Sequence, residues 1–476
     1  MFEYSPAPEN SKIVKFESAY GNFIAGKFTK PGKTYKTINP ATEQVLAEIT
    51  HSTAADVDRA VKAARFAYEN YWSTLPGSER GKYLFRIARL IQEKSRELAV
   101  AETLNNGKPI KETRDVDVPL VAAWFFYYAG WADKLDFAGM GPNPQPHGVA
   151  AQVIPWNFPL MMLAWKIAPA LAAGNTVVLK PAETTPLTAL LFAEICQQAD
   201  LPDGVVNIIT GFGDTGAALV GHKGVNKVAF TGSTEVGRLI AKSTAGTTKK
   251  VTLELGGKAA NIVFEDAPID QAVEGIINGI FFNQGHVCCA GSRLLVQESV
   301  KDLLLKKLSN RMEKLRIGDP LDKNTDIGAI NSKEQLSKIN SLVQKGVEEG
   351  ATKWNPNCTL PKKGFWFAPT LMLDVSPSNT VAREEIFGPV LSVMTFRTPA
   401  EAVTKANNTQ YGLSAGIWSE KGSKILKMAD QLNAGVIWAN TFNQFDPSSP
   451  FGGFKESGYG REGGKQGLAA YLKGSN

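Results

Sequence analysis

The spacing of apolar residues divides the chain into a helical first third and a longer part in which short strands alternate with helices. Over residues 55–72, apolar side chains recur at steps of three and four, which is typical of an amphipathic helix. The same spacing over residues 79–103 predicts a second long helix. We therefore expect the first third of the chain to be predominantly helical.

Beyond Gly148 the pattern changes to short apolar runs of strand length, separated by helical runs such as residues 269–282. The predicted strands are residues 149–154, 176–179, 205–209, 227–230, 251–253, 261–264, 293–297, 391–396 and 435–439. Strands that alternate with helices predict βαβ units and parallel sheets, so the fold class is α/β. Because there is no internal repeat or low-complexity linker, we expect the two α/β halves to pack into one unit. The proline-rich patch at residues 141–146 is the one candidate hinge.

Composition narrows the class of protein. The chain has 476 residues, 43% hydrophobic and 21% charged, and its net charge of +6 is spread along the sequence rather than collected in blocks, which argues against nucleic-acid binding. No apolar run approaches the ~18 residues of a membrane span, and the N-terminus lacks a leader pattern, so we expect no membrane association and a cytoplasmic location. The four cysteines are too few and too irregularly spaced for a disulfide framework, which predicts reduced thiols.

Cys288 is the candidate nucleophile, because it follows the predicted helix 269–282 on a loop. A thiolate attacks carbonyl carbon well, and nearby dipoles or cations can ionise such a cysteine near neutral pH. One alternative is a buried cysteine that packs as a small apolar residue. A zinc site built from His286, Cys288 and Cys289 is disfavoured because there is no second close pair of ligands, so no metal is expected.

Two further residues carry candidate chemistry. Glu254 precedes Gly256 and Gly257, where a turning backbone would let a carboxylate approach a ligand and deprotonate water; the alternative is a surface glutamate beside a turn. Asn157 lies between two prolines, and its amide could stabilise an oxyanion, although it could also be a simple turn residue.

Two segments suggest a nucleotide site. Lys180 and Glu183 follow the strand at residues 176–179, where open α/β sheets bind ligands, and they could hold sugar hydroxyls or simply be solvated. Gly232 and Gly237 lie between a strand and a helix whose N-terminus could hold a phosphate. Their spacing is neither the G-x-G-x-x-G fingerprint nor a P-loop, so this segment alone is a weak signal.

Taken together, these motifs resemble the aldehyde dehydrogenase superfamily from about Tyr20 to Tyr471. Further matches in the order of that family are residues 76–80, 105–109 (NNGKP), 384–390 (EEIFGPV) and 450–458 (PFGGFKESG). The resemblance implies two Rossmann-like open parallel-sheet domains with a reduced oligomerisation arm. It divides the chain into an NAD-binding domain (1–137 and 148–256), a shortened hairpin (138–147), a catalytic domain (257–457) and a C-terminal return segment (458–476).

The resemblance also implies NAD-dependent oxidation of an aldehyde to a carboxylic acid. Cys288 would form a hemithioacetal and then a thioester, the Asn157 amide and the Cys288 backbone N–H would hold the oxyanion, and Glu254 would activate the hydrolytic water. Lys180 is assigned with these catalytic residues. Two alternatives are a catalytically silent scaffold and a CoA-acylating dehydrogenase. The first is disfavoured because all three catalytic residues are retained, and the second because Glu254 suits a hydrolytic base.

The remaining site residues are assigned by the same resemblance. The cofactor would contact Ile154, Trp156, Lys180, Glu183, Gly213, Thr231, Gly232, Ser233, Gly237, Glu385 and Phe387. The substrate tunnel would be lined by Phe158, Met162, Trp165, Val287, Cys289, Phe445 and Phe451. Because Glu183 would repel a 2′-phosphate, NAD is expected rather than NADP. The apolar walls suggest aliphatic or aromatic aldehydes, or a trimethylammonium aldehyde held in an aromatic cage.

The chain departs from the family at two places. His286 stands where most members have Gln or Glu, and a histidine that titrates near neutrality would alter the dependence of rate on pH. The hairpin between Trp131 and Gly148 is short and the chain stops at Asn476, so a homodimer is expected before a tetramer. The motif at residues 286–291 (HVCCAG) and the end of the chain at Asn476 are similar to the class-sixteen aldehyde dehydrogenases, which leads to the hypothesis that the chain is the N-terminal part of a two-domain protein.

Overall fold

Two large β-sheets covered by helices organise residues 5–474, the part of the chain that the computed structural model describes. The strands are β1 (Ala19–Tyr20), β2 (Phe23–Ile24), β3 (Lys27–Phe28), β4 (Thr34–Ile38), β5 (Val45–Thr50), β6 (Gln145–Pro146), β7 (Val149–Val153), β8 (Thr176–Lys180), β9 (Val206–Ile208), β10 (Lys227–Thr231), β11 (Lys250–Glu254), β12 (Ala260–Val263), β13 (Arg293–Gln297), β14 (Thr352–Trp354), β15 (Thr370–Leu373), β16 (Val390–Phe396), β17 (Tyr411–Gly412), β18 (Ser414–Trp418), β19 (Val436–Ala439), β20 (Phe454–Lys455), β21 (Gly458–Tyr459) and β22 (Leu472–Lys473).

The helices are α1 (Ala54–Ala67), α2 (Gly77–Glu93), α3 (Ser95–Asn106), α4 (Ile110–Glu112), α5 (Val118–Ala129), α6 (Pro159–Ala172), α7 (Leu187–Gln198), α8 (Gly213–Gly221), α9 (Thr234–Thr244), α10 (Ile269–Phe281), α11 (Lys301–Met312), α12 (Lys333–Glu348), α13 (Thr380–Arg383), α14 (Pro399–Asn407), α15 (Gly422–Ala429) and α16 (Gly464–Ala469). Within residues 5–474, none of these helices is long and apolar enough to cross a membrane.

The first large sheet has the strand order β21-β11-β10-β7-β8-β9-β2-β3, and its five central strands are parallel. The second has the order β14-β15-β16-β13-β12-β18-β19, with β14 antiparallel to β15 and every other neighbouring pair parallel. Strands β8 and β10 are buried along their whole length, as strands covered by helices on both faces must be. The α/β class expected from the alternating pattern is therefore correct.

A continuous apolar core joins the two large sheets. It runs from β8 of the first sheet, through the wholly buried helix α6, to β13 of the second sheet. Such a shared core holds both halves in one packed unit. The division into an NAD-binding and a catalytic domain at residue 256 stays a prediction.

The first helical third differs from expectation in one respect. The predicted helix over residues 79–103 is two helices, α2 and α3, because the backbone at Lys94 leaves helical geometry. The break lets α2 pack against α5 while α3 packs against α7. Apolar spacing continues across Lys94, so the period alone could not reveal the break.

Two strands of the first sheet end one residue later than predicted. Lys180 is the last residue of β8, and Glu254 is the last residue of β11. Lys180 is in register with Val153, and Glu254 is in register with Thr231 at the end of β10. Because these strands are parallel, their terminal side chains lie along one edge of the sheet, where ligands of open α/β folds bind.

The shortened hairpin and the C-terminal segment meet within the chain. Strand β6 pairs antiparallel with β22, which joins Pro146 to Leu472. The predicted hairpin is thus a short two-residue strand held by the last described strand.

Candidate active site

A cleft opens at the carboxyl edge of the first sheet and faces the loop that precedes β13. It holds about 970 Å³ of empty space, including solvent at its mouth. Its lining residues are Pro155, Trp156, Asn157, Phe158, Met161, Met162, Trp165, Thr231, Gly232, Ser233, Glu254, Leu255, Gly256, Val287, Cys288, Cys289, Gln335, Lys338, Glu385, Phe387, Phe445, Phe451 and Glu462. The structure therefore brings together three of the four predicted catalytic residues and all seven predicted substrate-tunnel residues.

The loop that carries Cys288 begins with a left-handed turn. Helix α10 ends at Phe281, and Asn283, Gln284 and Gly285 then adopt φ values of 48°, 52° and 75°. A Cβ on Gly285 would lie 2.1 Å from the backbone oxygen of Gly388, so this position requires glycine. Helical spacing correctly placed the helix, but three successive left-handed residues gave no periodic signal.

Cys288 is a partly buried thiol rather than a ready thiolate. A hydrogen bond that the Cys288 thiol donates to the adjacent Cys289, together with burial, raises the pKa of Cys288 well above its usual value. Ionisation of Cys288 near neutral pH stays a prediction, and with these surroundings it requires a change around the thiol, such as the arrival of ligands. Gly257 lets the loop approach closely, since a Cβ there would lie 2.4 Å from the Cys288 backbone oxygen.

Glu254 is buried beside a second carboxyl group. Among residues 5–474, neither carboxylate oxygen of Glu254 has a hydrogen-bond partner. Burial, with a contribution from Glu462, raises the pKa of Glu254 well above its usual range. The raised pKa favours the protonated form of Glu254, and a carboxyl group of this kind becomes a proton acceptor when a change in its surroundings lets it ionise.

A buried lysine connects Glu462 to the end of β10. Lys166 pairs with Glu462 and donates a hydrogen bond of 2.7 Å to Thr231 Oγ1. Neither Lys166 nor Glu462 was among the predicted site residues. The available signal was a single charged residue inside the otherwise apolar helix α6.

Asn157 lines the cleft together with Cys288, and it contacts the fully buried His286. The Asn157 side-chain amide donates a hydrogen bond of 2.8 Å to the backbone oxygen of His286. The His286 ring stacks on Phe387 with centroids 5.9 Å apart and meets Trp156 edge-on at 4.8 Å. Burial and the nearby Lys108 lower the pKa of His286 to about 3, so this histidine is neutral at ordinary pH.

The predicted cofactor residues fall into two groups. Trp156, Thr231, Gly232, Ser233, Glu385 and Phe387 line the cleft, whereas Ile154, Lys180, Glu183, Gly213 and Gly237 do not. Lys180 is buried and lies 3.8 Å from the half-exposed Glu183, and it donates a hydrogen bond to the Pro181 oxygen. The structure thus places Lys180 outside the cleft that holds Cys288, and its assignment as a catalytic residue stays a prediction.

Glycine positions bring distant loops together at this site. A Cβ on Gly237 would lie 2.5 Å from the Leu255 side chain, so Gly237 lets α9 pack closely beside β11. The Glu385 carboxylate accepts a hydrogen bond of 2.9 Å from the Gly257 N–H. Gln335 was not predicted, yet its amide donates to the backbone oxygens of both Ile386 and Phe387 and holds that loop.

The inner end of the cleft is aromatic. Trp165 stacks on Trp124 with centroids 4.5 Å apart, and it meets Phe451 at 5.3 Å and Phe445 at 6.2 Å. Met161, which was not predicted, adds a flexible apolar wall. The charged side chains in residues 5–474 that line the cleft are Glu254, Lys338, Glu385 and Glu462.

Comparisons with known proteins place the chain in a family. The model described as the aldehyde dehydrogenase family matches residues 28–475. The DhaS protein of Bacillus subtilis (strain 168) is 46% identical over 95% of this chain and 94% of its own length. Retinal dehydrogenase 2 of Homo sapiens is 43% identical over 98% of this chain and 92% of its own length.

A solved structure agrees with the sequence comparisons. The NAD+ complex of an aldehyde dehydrogenase from Bacillus cereus superposes with a TM-score of 0.92 at 41% identity, over 95% of each chain. The fold is thus that of an α/β enzyme with two open sheets. The chain belongs to the aldehyde dehydrogenase family.

Proposed function

We propose that this protein oxidises an aldehyde to a carboxylic acid with NAD, through a covalent bond between the substrate and Cys288. The observation that carries the proposal is the joint placement of Cys288, Glu254 and Asn157 around one apolar cleft. Relatives that are 43% identical or more over nearly the whole chain, and a neighbour solved as an NAD+ complex, support the same activity.

In the first step the Cys288 sulfur attacks the aldehyde carbon, and the product is a hemithioacetal. The negative charge that develops on oxygen needs preorganised donors, which the Asn157 amide and the Cys288 backbone N–H supply. In the resting structure the Asn157 amide donates to the His286 oxygen, so this bond fixes the amide beside the nucleophile. Bound NAD would supply the hydride acceptor for the hemithioacetal carbon, and Cys288 would then carry a thioester.

Hydrolysis of the thioester requires a base, and Glu254 fills that role. Its raised pKa makes it a strong base once it has lost its proton. Glu462 and Lys166 lie beside it and can take part in moving that proton toward solvent, since Lys166 already bridges Glu462 and Thr231. The Cys288 thiol must likewise lose its proton before attack.

The residues at the edge of the first sheet fit a dinucleotide. Helices α8 and α9 begin at the carboxyl ends of β9 and β10, where helix N-termini favour phosphate, and Ser233 is the N-cap of α9. Glu183 is 46% exposed and its carboxylate is paired with the buried Lys180, so the pair can hold ribose hydroxyls. The same carboxylate would repel a 2′-phosphate, which supports NAD over NADP.

The cleft supports apolar substrates. Its inner wall consists of Phe158, Met162, Trp165, Phe445 and Phe451, with Val287 and Cys289 beside the nucleophile. Aliphatic or aromatic aldehydes fit such a wall, and the ring faces can also hold a trimethylammonium group.

We also propose a homodimer in the cytoplasm. Val236 and Leu239 on α9 are 41% and 61% exposed, and Tyr459 and Phe454 add exposed apolar surface nearby. Arg238 ties this helix to the same segment through Glu456. A patch of this kind is typical of a protein–protein contact.

The four free cysteines suit a reducing compartment.

The test is NADH formation with NAD and a panel of aliphatic, aromatic and trimethylammonium aldehydes. Turnover is expected in the wild-type protein and not in Cys288→Ala, while NAD binding is retained. Release of a carboxylic acid without CoA distinguishes hydrolysis from transfer to a thiol. A folded protein that binds NAD and turns over none of the panel would favour the silent scaffold instead.

A further inference from the structure

A buried group of charged residues lies behind the nucleophile loop and outside the cleft. It consists of Glu102, Lys108, Glu112 and Asp117, all of them buried. Lys108 and Asp117 form an ion pair of 2.6 Å, in which both side chains are fully buried. None of the four lines the cleft, so they cannot touch a substrate there.

One member of this group reaches the turn that carries Cys288. The Glu112 carboxyl oxygen Oε2 accepts a hydrogen bond of 2.9 Å from the backbone N–H of Asn283. Asn283 is the first of the three left-handed residues, and only Phe282 separates it from the end of helix α10. Glu112 therefore fixes the point at which the chain leaves the helix and turns toward Cys288.

The same asparagine connects Glu112 to the other side of the site. The Asn283 side-chain amide donates a hydrogen bond of 2.7 Å to the backbone oxygen of Asn157. Asn157 in turn donates to the His286 oxygen at 2.8 Å. Two hydrogen bonds thus separate Glu112 from the residue proposed to hold the oxyanion.

Lys108 contacts the segment that carries Asn157. Its ammonium group lies 4.0 Å from the centroid of the Phe158 ring, next to Asn157 in the chain. A cation over an aromatic face restricts the ring without any hydrogen bond. The group therefore contacts both the turn that precedes Cys288, at Asn283, and the segment that carries Asn157, at Phe158.

We propose that Glu112 is a positioning residue, which holds the left-handed turn at Asn283 and through it sets the relative placement of Cys288 and Asn157. The physical reason is that non-glycine residues persist in left-handed geometry only where neighbours over-determine them. Without an acceptor, the buried Asn283 N–H would lose its partner, and the turn would relax to recover one. The expected effect on kcat rests on the proposed function, whereas the expected effect on the turn at Asn283 does not.

The chain offers a matched control in Glu102. Its carboxyl group is buried in the same cluster and also accepts a backbone N–H, that of Leu160, at 3.2 Å, together with the Thr188 hydroxyl at 2.7 Å. It makes no hydrogen bond to residues 283–288 in the described structure. Replacing Glu102 therefore disturbs the cluster without removing the acceptor from Asn283.

The experiment compares Glu112→Met, Glu112→Gln and Glu102→Met in the full-length protein. Amide hydrogen exchange of the peptide that covers residues 283–288 is expected to be about ten-fold faster in Glu112→Met, because its buried N–H loses its acceptor. Glu112→Gln keeps an oxygen acceptor and should stay within about three-fold of wild type, as should Glu102→Met.

The kinetic measurement is made on the same variants. In Glu112→Met, kcat is expected to fall by about ten-fold or more while the KM for NAD changes by less than about three-fold, and Glu112→Gln should restore most of kcat. If Glu112→Met does not fold, Glu112→Asp tests the same point, since its shorter side chain keeps the carboxyl group and withdraws the acceptor from Asn283.

Two results would overturn the inference. One is exchange at residues 283–288 in Glu112→Met, or in Glu112→Asp where that variant replaces it, no faster than in Glu102→Met. The other is a kcat for that Glu112 variant no lower than that of Glu102→Met. A wild-type protein without dehydrogenase activity would refute the proposed function instead, and the exchange comparison would still decide the role of Glu112.

Discussion

The nucleotide edge and the nucleophile pocket of this protein are built in opposite ways. At the predicted nucleotide edge, Lys180 ends β8 and Ser233 caps α9, while the half-exposed Glu183 lies in the loop after β8 and pairs with Lys180. In the pocket, Cys288 and Glu254 come from different segments, and the pKa of each is raised, by the Cys289 contact and burial at Cys288 and by burial at Glu254. The first region is ready for a ligand, whereas the second must change its protonation before it can react.

The difference shows that burial makes a carboxyl group harder to ionise and, once it is ionised, more basic. A carboxyl group with no hydrogen-bond partner is a poor anion, but once ionised it is a stronger base than one in water. The paired Lys180 and Glu183 offer fixed charges for recognition but little reactivity. Variants in the nucleophile pocket should therefore alter the rate of the chemical steps, and variants at the nucleotide edge should alter the choice between NAD and NADP.

The largest expected effect comes from removing the base in the pocket. Glu254→Gln should lower the steady-state rate by about 10²–10³-fold, because the amide cannot deprotonate water. A single turnover that forms NADH should persist, since Cys288 is intact. Rapid-mixing measurements of NADH separate the two steps. Steady-state turnover equal to wild type would show that another group is the base.

The buried ion pair behind the base is the next test. Lys166→Met leaves Glu462 without its partner and should lower the free energy of unfolding by about 3–5 kcal/mol, because an uncompensated charge stays buried. Urea denaturation measures the change. The double variant Lys166→Met with Glu462→Gln should recover part of the loss, and a double variant as unstable as the sum of its singles would argue against the pairing.

A smaller effect is expected at the nucleotide edge. Glu183→Gln removes the carboxylate that repels a 2′-phosphate, so the ratio of kcat/KM for NADP to that for NAD should rise by about ten-fold. Initial rates with both cofactors provide the measurement. Asp214→Asn, which removes an exposed charge that interacts with Lys180, is the matched control. An unchanged ratio in Glu183→Gln would remove Glu183 from cofactor selection.

The smallest effect on rate is expected at His286. Because burial lowers its pKa to about 3, the histidine is neutral throughout the working range, and His286→Gln should leave the pH–rate profile unchanged. The hypothesis that His286 titrates near neutrality predicts instead that His286→Gln changes the pH–rate profile. A lost or shifted ionisation between about pH 5 and 8 would restore that hypothesis.

Acid stability tests the same pKa independently of activity. The folded protein disfavours protonated His286, so its stability is undiminished above the ordinary pKa of 6.5 and is lost as the pH falls from there toward about 3. His286→Gln should flatten this decline in acid denaturation. Identical declines in both proteins would contradict the lowered pKa.

The sequence predicted the fold class, the family and most of the cleft. Alternating strands and helices identified the α/β class, and motifs around Cys288, Glu254 and Asn157 identified the family, which the comparisons confirm. These features are local, since each motif lies on a strand end or a loop a few residues long. The resemblance to two-domain members, the domain boundaries and the residue roles stay predictions.

The tertiary structure decided what depends on contacts between distant segments. Lys166 and Glu462 are 296 positions apart in sequence, and Glu112 and Asn283 are 171 apart, so no local pattern could pair them. The raised pKa of Cys288 follows from its contact with Cys289 and from burial, and the lowered pKa of His286 follows from burial, which is a property of the packed fold. Sequence by itself determined which groups are present and on which elements, whereas packing determined their charges, because desolvation depends on every segment that covers them.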